Sequence, residues 1–481
     1  MGPTDSPDGS LFVNGIDGAS GGYLLPPLRP GALSKVAQGE ALDPQERAEL
    51  RARFRTSSEK FLGPIEGIDV TDVADSGWGV IFPHDAEPAV REALQPLLDH
   101  RREQVAAGSR PQRYREFTGA DGYRPGESSA AFLVRHATGP VDAADPDKVP
   151  YYLLVVGDPE SIPFRFQYQL DVTYAVGRLS FETPEEYARY ATSVVEAEAN
   201  PRPDRRAVFM GMRNEDDRPT QMSAELLVQP LAGELDRQFG NRGWTVETRI
   251  GENQAAKADV VAALGAGAPT VFFSASHGMG FPNGDPRQLP HQGALLCQDW
   301  PGPLDWRQPI PPDFYFAGED VGDDARLSGL LAFLFACYGA GTPKQDEFAR
   351  QALSAPTQIA PAAFVAGLPR RLLSHPNGGA LAIVGHVERA WSYSFAWPRL
   401  DEQIGTFTST LSALFKGRPL GAALEYFNDR YAALTVELES AKETIQFGGT
   451  PDDVGVAGLW TARNDARNYV IIGDPAVRIT G

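Results

Sequence analysis

Apolar residues along this chain gather in short unbroken runs, with polar and small residues between them. Two runs stand out. Val271 to Gly280 read V-F-F-S-A-S-H-G-M-G, and Phe333 to Gly341 read F-L-F-A-C-Y-G-A-G. Each has the length and bulk of a strand buried on both faces and ends at a small-residue turn. The strands predicted are Gly79 to Pro83, Tyr151 to Asp158, Ala207 to Met212, Trp244 to Ile250, Thr270 to Ser276, Ala332 to Ala336, Ala380 to Gly385 and Tyr469 to Ile472. Helical spacing predicts helices at Pro88 to Ala107, Ser128 to His136, Ala224 to Phe239, Gln254 to Leu264, Gln345 to Ala352, Phe364 to Leu373 and Thr406 to Lys442. Thr183-Pro184-Glu185-Glu186 opens a further helix with a cap, a first-turn proline and acids. Beyond residue 200 strand and helix signals alternate, as in a parallel sheet with crossover helices.

The runs also suggest how the chain divides. Residues 1–70 are rich in Gly, Pro and charge and read as an irregular N-terminal extension packed over the body. Its Tyr23-Leu24-Leu25 patch also suits an inhibitory segment in a cleft, and Pro44 to Phe54 has a helical pattern. N-P-R-P-D (Asn200 to Asp204) has linker composition, so a first subdomain is expected over 71–200 and a second over 201–481. Y-Y-L-L-V-V-G-D-P from Tyr151 and N-Y-V-I-I-G-D-P from Asn468 echo each other. They are candidate equivalent strands of two related halves, with chance similarity as the alternative.

Composition narrows the function. With 481 residues there is room for two or three domains. A net charge of −19 argues against nucleic acid and anionic membrane as partners. Only Cys297 and Cys337 occur, which excludes a disulfide framework and a cysteine zinc site. The segment M-G-P-T-D-S-P-D-G-S has no basic start or apolar core, and no run reaches the ~20 apolar residues of a membrane span. The expectation is a soluble cytoplasmic protein.

The candidate chemistry sits at the ends of the two strongest strands. Open parallel sheets place reactive groups at strand ends, so His277 and Cys337, sixty positions apart, form a candidate imidazole–thiol pair. A free thiol is only a few per cent ionised at neutral pH, and an imidazole can take its proton. Gly278, without a side chain, lets its amide approach a substrate carbonyl; with the Cys337 amide it forms a candidate oxyanion hole. The competing readings are a small core cysteine and an ordinary strand-to-loop turn. Cys297 reads as a buried strand residue. His84, His100, His136, His291 and His375 are scattered without metal-ligand spacing.

S-A-S-H-G and L-F-A-C-Y-G resemble the histidine and cysteine strands of the caspase-like cysteine peptidases, nearest to gingipain-type and CHAT-domain proteases. Y-Y-L-L-V-V-G-D-P-E-S-I-P, L-D-V-T-Y, V-G-R-L-S and T-P-E-E-Y are similar to the motif order of the gingipain non-catalytic subdomain. G-A-L-A-I-V-G-H-V-E-R-A-W and the closing N-Y-V-I-I-G-D-P-A-V-R-I are similar to the end of both families. The resemblance covers roughly residues 75 to 481. It implies two three-layer α/β/α subdomains with mostly parallel sheets, the second catalytic, and endopeptidase activity through a thioester acyl-enzyme. His277 would be the base and acid, Cys337 the nucleophile, and Gly278 with Cys337 the oxyanion donors. A third group that orients His277 is not identified. No cofactor is expected; calcium, needed by some relatives, is left open. A protein substrate and a regulatory partner are implied, with limited cleavage in bacterial stress or anti-phage signalling.

Specificity has weaker candidates. Caspases carry a polar residue two positions before the cysteine; here it is Phe335, against a caspase-type aspartate pocket. Glu215, Asp216 and Asp217 can attract a basic P1 residue, or can simply be solvated. Trp391 is a candidate pocket wall, with core packing as the alternative. His386 also closes a strand and is a candidate cleft residue, with a hydrogen-bonded structural role as the competing reading. The competing functions are a catalytically silent caspase-like scaffold and a thiol acyl hydrolase of small molecules.

Overall fold

Ten short strands, most of them buried from end to end, build one sheet. The computed structural model describes residues 63–139, 142–200, 205–346, 357–396, 404–446 and 452–480. The strands are β1 (Trp78–Ile81), β2 (Tyr114–Phe117), β3 (Tyr152–Val156), β4 (Ala175–Leu179), β5 (Arg205–Gly211), β6 (Trp244–Ile250), β7 (Val271–Ala275), β8 (Leu331–Phe335), β9 (Ala382–His386) and β10 (Tyr469–Gly473). The helices used below are α1 (Gln95–Ala106), α2 (Phe164–Leu170), α3 (Pro184–Ala199), α4 (Arg218–Ser223), α5 (Gly405–Phe415), α6 (Leu420–Gln446) and α7 (Asp453–Arg467).

Across the sheet the order is β2-β1-β3-β4-β10-β9-β8-β7-β5-β6. Every neighbouring pair is parallel except β9 with β10. The sheet is therefore two parallel blocks of five strands running in opposite directions. Counted from its own edge, each block has the doubly wound order 2-1-3-4-5, whose reactive end is the carboxyl end of the strands. The expected mostly parallel α/β architecture is present, as one continuous sheet with helices on its faces.

This order corrects the reading of the Gly-Asp-Pro echo. Within the repeat, β3 corresponds to β7 and β10 corresponds to β9, so β3 and β10 are not equivalent. Both lie in the first block because β10, from the end of the chain, completes it beside β4. The seam at residues 201–204 thus separates chain segments without separating sheets.

A buried polar cluster holds β10 there. Asp474, fully buried, accepts from Arg101 Nε on α1 at 2.7 Å and from Trp78 Nε1 at 3.0 Å. Arg101 also pairs with Glu198 on α3 at 2.7 Å. The Tyr190 hydroxyl accepts the Asp474 amide at 2.6 Å and donates to the Leu381 carbonyl at 2.8 Å. Every buried charge here has a partner, as burial demands.

Local signals account for most helices. The Thr183–Glu186 capping box and Pro184 start α3 as expected. The single helix expected over Thr406 to Lys442 is two, α5 and α6. Gly417 at φ +78° and then Pro419 break it, since a left-handed glycine ends one helix and proline suits the start of the next. Of the helix expected at Gln345 to Ala352, Gln345 instead bridges Gln358, and 347–352 lie outside the described residues. Phe364–Val365 is strand, followed by a helix at Gly367–Leu373. The N-terminal patch and the helical pattern of Pro44 to Phe54 also lie outside the described residues.

Candidate active site

β7 and β8 pair in parallel with Phe273 opposite Phe333 and Ala275 opposite Phe335. The last rung carries the Ser276 amide to the Phe335 carbonyl at 3.1 Å. Two residues past the paired ends come His277 and Cys337, so register brings them to adjacent strand tips, where neighbouring strands lie ~4.8 Å apart.

Gly278 is what lets the tips close. A Cβ built on it would lie 1.8 Å from the Cys337 carbonyl oxygen, so only glycine fits. Gly278 bridges Leu295, with the flanking bonds made by Met279 N–H to Ala294 and Leu296 N–H to His277. That is the non-hydrogen-bonded position of an antiparallel bridge, which leaves the Gly278 amide off that ladder. Past Cys337, Tyr338 adopts φ +60° and donates its amide to the Glu388 carbonyl at 2.6 Å; Glu388 has φ +80°. Two left-handed non-glycine residues bonded to one another make this a strained turn, held by its surroundings.

The imidazole has a carboxylate behind it. His277 Nε2 donates to Asp217 Oδ2 at 2.9 Å, with the imidazole 35% exposed and the carboxylate 7%. Asp217 also caps α4, accepting the Thr220 amide at 3.1 Å. Its burial opposes ionisation, but the bonds from His277 and Thr220 outweigh this and hold the carboxyl below its usual range. Trp300 stands edge-on to the imidazole, ring centres 5.9 Å apart. With Nε2 committed, Nδ1 is the nitrogen left for other chemistry; among the described residues no hydrogen bond joins it to the sulfur.

Cys337 is half-buried and free. Burial pushes its thiol up, while the Ala390 amide, donating to the sulfur at 3.4 Å, and the Arg389 charge pull it down. Cys297, by contrast, is fully buried and pushed up strongly by that burial, its sulfur on the Leu295 carbonyl.

The remaining candidates part company. Asp217 does not face outward as an attractor of basic residues; it turns inward to His277. The sequence signal was present in Asp217-Arg218-Pro219, a capping aspartate before a first-turn proline. Glu215 and Asp216 are exposed on the same loop, Asp216 at φ +57°. Phe335 is no pocket residue: it is 7% exposed and packs on His386, Phe395 and Phe407. His386 does not line the cleft either. It is fully buried, bonded to Asp465 at 3.1 Å and tilted against Tyr469, ring centres 4.0 Å apart. Trp391 is partly exposed, its amide on Asp465 at 2.8 Å. Among the described residues no cluster of three or more His, Cys, Asp or Glu is arranged to hold a metal ion. Nor is any described helix long and apolar enough to cross a membrane.

Residues 80–291 match the model described as Peptidase family C25. This stretch is similar to that peptidase family. The matched stretch is less than half of the chain; it contains His277 and Asp217 and ends before Cys337. Among solved structures, the Arg-specific cysteine proteinase gingipain R is 14% identical, with a TM-score of 0.49 over 84% of this chain and 78% of that one. The complex of the Porphyromonas gingivalis RgpB pro- and mature domains is 13% identical, with a TM-score of 0.43 over 84% and 79%. The Saccharomyces cerevisiae separase–securin complex is 10% identical, with a TM-score of 0.31 over 68% of this chain and 16% of that one. No curated protein matches the chain.

Proposed function

We propose that the chain is an endopeptidase in which Cys337 is the nucleophile, His277 its base and acid, and Asp217 the group that orients His277. The observation that carries this reading is the β7–β8 register, which sets His277 beside Cys337 with Asp217 behind the imidazole. His277 Nδ1 takes the thiol proton, and the thiolate adds to the scissile carbonyl. The amides of Gly278 and Cys337 receive the oxyanion, a donor set worth ~3–4 kcal/mol per bond in acyl transfer. The imidazolium returns its proton to the leaving amine as the C–N bond breaks, leaving a thioester. Water then adds to the thioester with His277 again as base, releasing the acid and restoring the thiol. Asp217 stabilises the imidazolium through both steps and holds the tautomer with Nδ1 free.

For specificity, the exposed Glu215 and Asp216, two and one residues before Asp217, support a preference for a basic P1 side chain. Two unpaired cysteines fit a reducing, cytoplasmic setting, and we extend the reading to limited cleavage of a protein partner in bacterial stress or anti-phage signalling. The test compares wild type with Cys337→Ala on a P1-diverse peptide library. Cleavage after Lys or Arg by wild type alone supports the reading; equal cleavage by both proteins removes it.

A further inference from the structure

The loop after β9 carries no reactive side chain at the sulfur, yet it supplies an amide that donates to it. Ala390 N–H lies 3.4 Å from Cys337 Sγ, and the sulfur faces the Ala390 carbonyl at 3.8 Å. An alanine has no side chain with which to fix its own amide, so its neighbours must. Val387 donates to the Asn468 carbonyl at 2.9 Å, and the Glu388 carbonyl receives Tyr338. On the far side, the Trp391 amide donates to Asp465 Oδ1 at 2.8 Å.

Asp465 comes from the last turn of α7 and is 1% exposed. The same carboxylate takes His386 Nε2 and the Ser394 hydroxyl, which in turn meets the Tyr469 hydroxyl at 2.7 Å. Arg430 closes the cluster on the carbonyls of Tyr393 and Ser394. The groups whose charge bears on the sulfur include Arg389, which favours the thiolate, and Asp465, whose negative charge opposes it. Tyr338, Glu388 and His277 stand around the same turn. A buried anion that works against the nucleophile's charge must contribute something else, and here that is position.

We propose that Asp465 is a positioning residue for the nucleophile: by accepting the Trp391 amide, it fixes the Ala390 N–H on Cys337 Sγ and so favours the thiolate. The proposal rests on reading Cys337 as the nucleophile, and its test needs no turnover.

The rate of iodoacetamide alkylation at Cys337 is followed against pH in the full-length protein, with peptide mapping to separate it from Cys297. Charge and position predict opposite signs. Removing the charge alone lowers the alkylation midpoint in both Asp465→Asn and Asp465→Ala. If position governs, Asp465→Ala raises the midpoint by about one pH unit, the size of one lost hydrogen bond to a charged group. Asp465→Asn, which keeps an acceptor for the Trp391 amide, does not raise it. An unchanged or lowered midpoint in Asp465→Ala overturns the proposal. Should Asp465→Ala fail to fold, Ala390→Pro removes the donor itself and is expected to give the same rise; an unchanged midpoint there also overturns it. Failure of the nucleophile reading looks different: wild type would show no Cys337-dependent peptide cleavage, whatever the alkylation midpoints do.

Discussion

The two five-strand blocks share a strand order and differ in what stands at their central strand ends. In the second block Ala275 lies opposite Phe335, and two residues on come His277 and Cys337. In the first, Val156 lies opposite Leu179, and two residues on come Asp158 and Phe181. Asp158 spends its carboxylate on its own loop, accepting the amides of Glu160 and Ser161 and the Ser161 hydroxyl. Beside it Arg178, fully buried, donates to the carbonyls of Gly157 and Ile162 and to Gln167 Oε1. Burial holds its guanidinium down to about 10, with Asp158 pulling the other way. One set of strand ends is thus closed by a guanidinium saturated with carbonyls, and the other is left open on an imidazole and a thiol. The fold supplies the location twice, and the second block sets an imidazole and a thiol there.

The sharpest way to break this comparison is to exchange the reactive end of each block for alanine. Cys337→Ala is expected to lower peptide kcat/KM by about 10⁴-fold or more, as for loss of a nucleophile, whereas Asp158→Ala stays within about twofold. Asp217→Asn removes the charge behind His277 and is expected to cost about 10³-fold, read as kcat in steady-state assays. The first block answers in stability instead. Arg101→Leu strands the buried carboxylates of Asp474 and Glu198, a loss of about 3–5 kcal/mol in chemical denaturation.

Glu425 on α6 sharpens the contrast through pH. It donates or accepts nothing catalytic; buried against the Tyr151 hydroxyl of the first block, its carboxyl is pushed up to about 7 by that burial. A folded pKa above the unfolded one near ~4.3 means the folded protein holds the proton more tightly. Its contribution is full below the unfolded pKa and is lost as pH rises through about 7. Stability is expected to fall on the order of 3 kcal/mol across that window, and Glu425→Gln to flatten the fall in denaturation series from pH 4 to pH 8. Smallest of all, Thr183→Ala deletes one half of the α3 capping box and is expected to lower stability by about 1 kcal/mol.

What the sequence showed well was what two-sided burial writes plainly. β7, β8, β9 and β10 are unbroken apolar runs within a residue or two of the expected bounds. β4 escaped notice because A-V-G-R-L contains a glycine and an arginine. Gly177 is required there by the Gly473 carbonyl, 2.1 Å from any added Cβ, and Arg178 is buried only because carbonyls satisfy it. β2, Tyr114–Phe117, is a short half-exposed edge strand with two charges in four residues. Asp217 was hidden for a different reason. In sequence it is one of three consecutive acids; Arg218-Pro219 marks it as a helix cap, but nothing local says that the same carboxylate also reaches His277. Phe335, a pocket candidate from its place two residues before Cys337, and His386, a cleft candidate because it closes a strand, both lie in the core, since these strands are buried on both faces.

The most direct measurement is covalent capture. The full-length protein is reacted with a peptidyl acyloxymethyl ketone carrying arginine next to the reactive group, then mapped by mass spectrometry. A single adduct on Cys337, lost or strongly slowed in His277→Ala, is the expected result. An adduct on Cys297, or none at all from a preparation that still cleaves peptides, would contradict the pairing of His277 with Cys337.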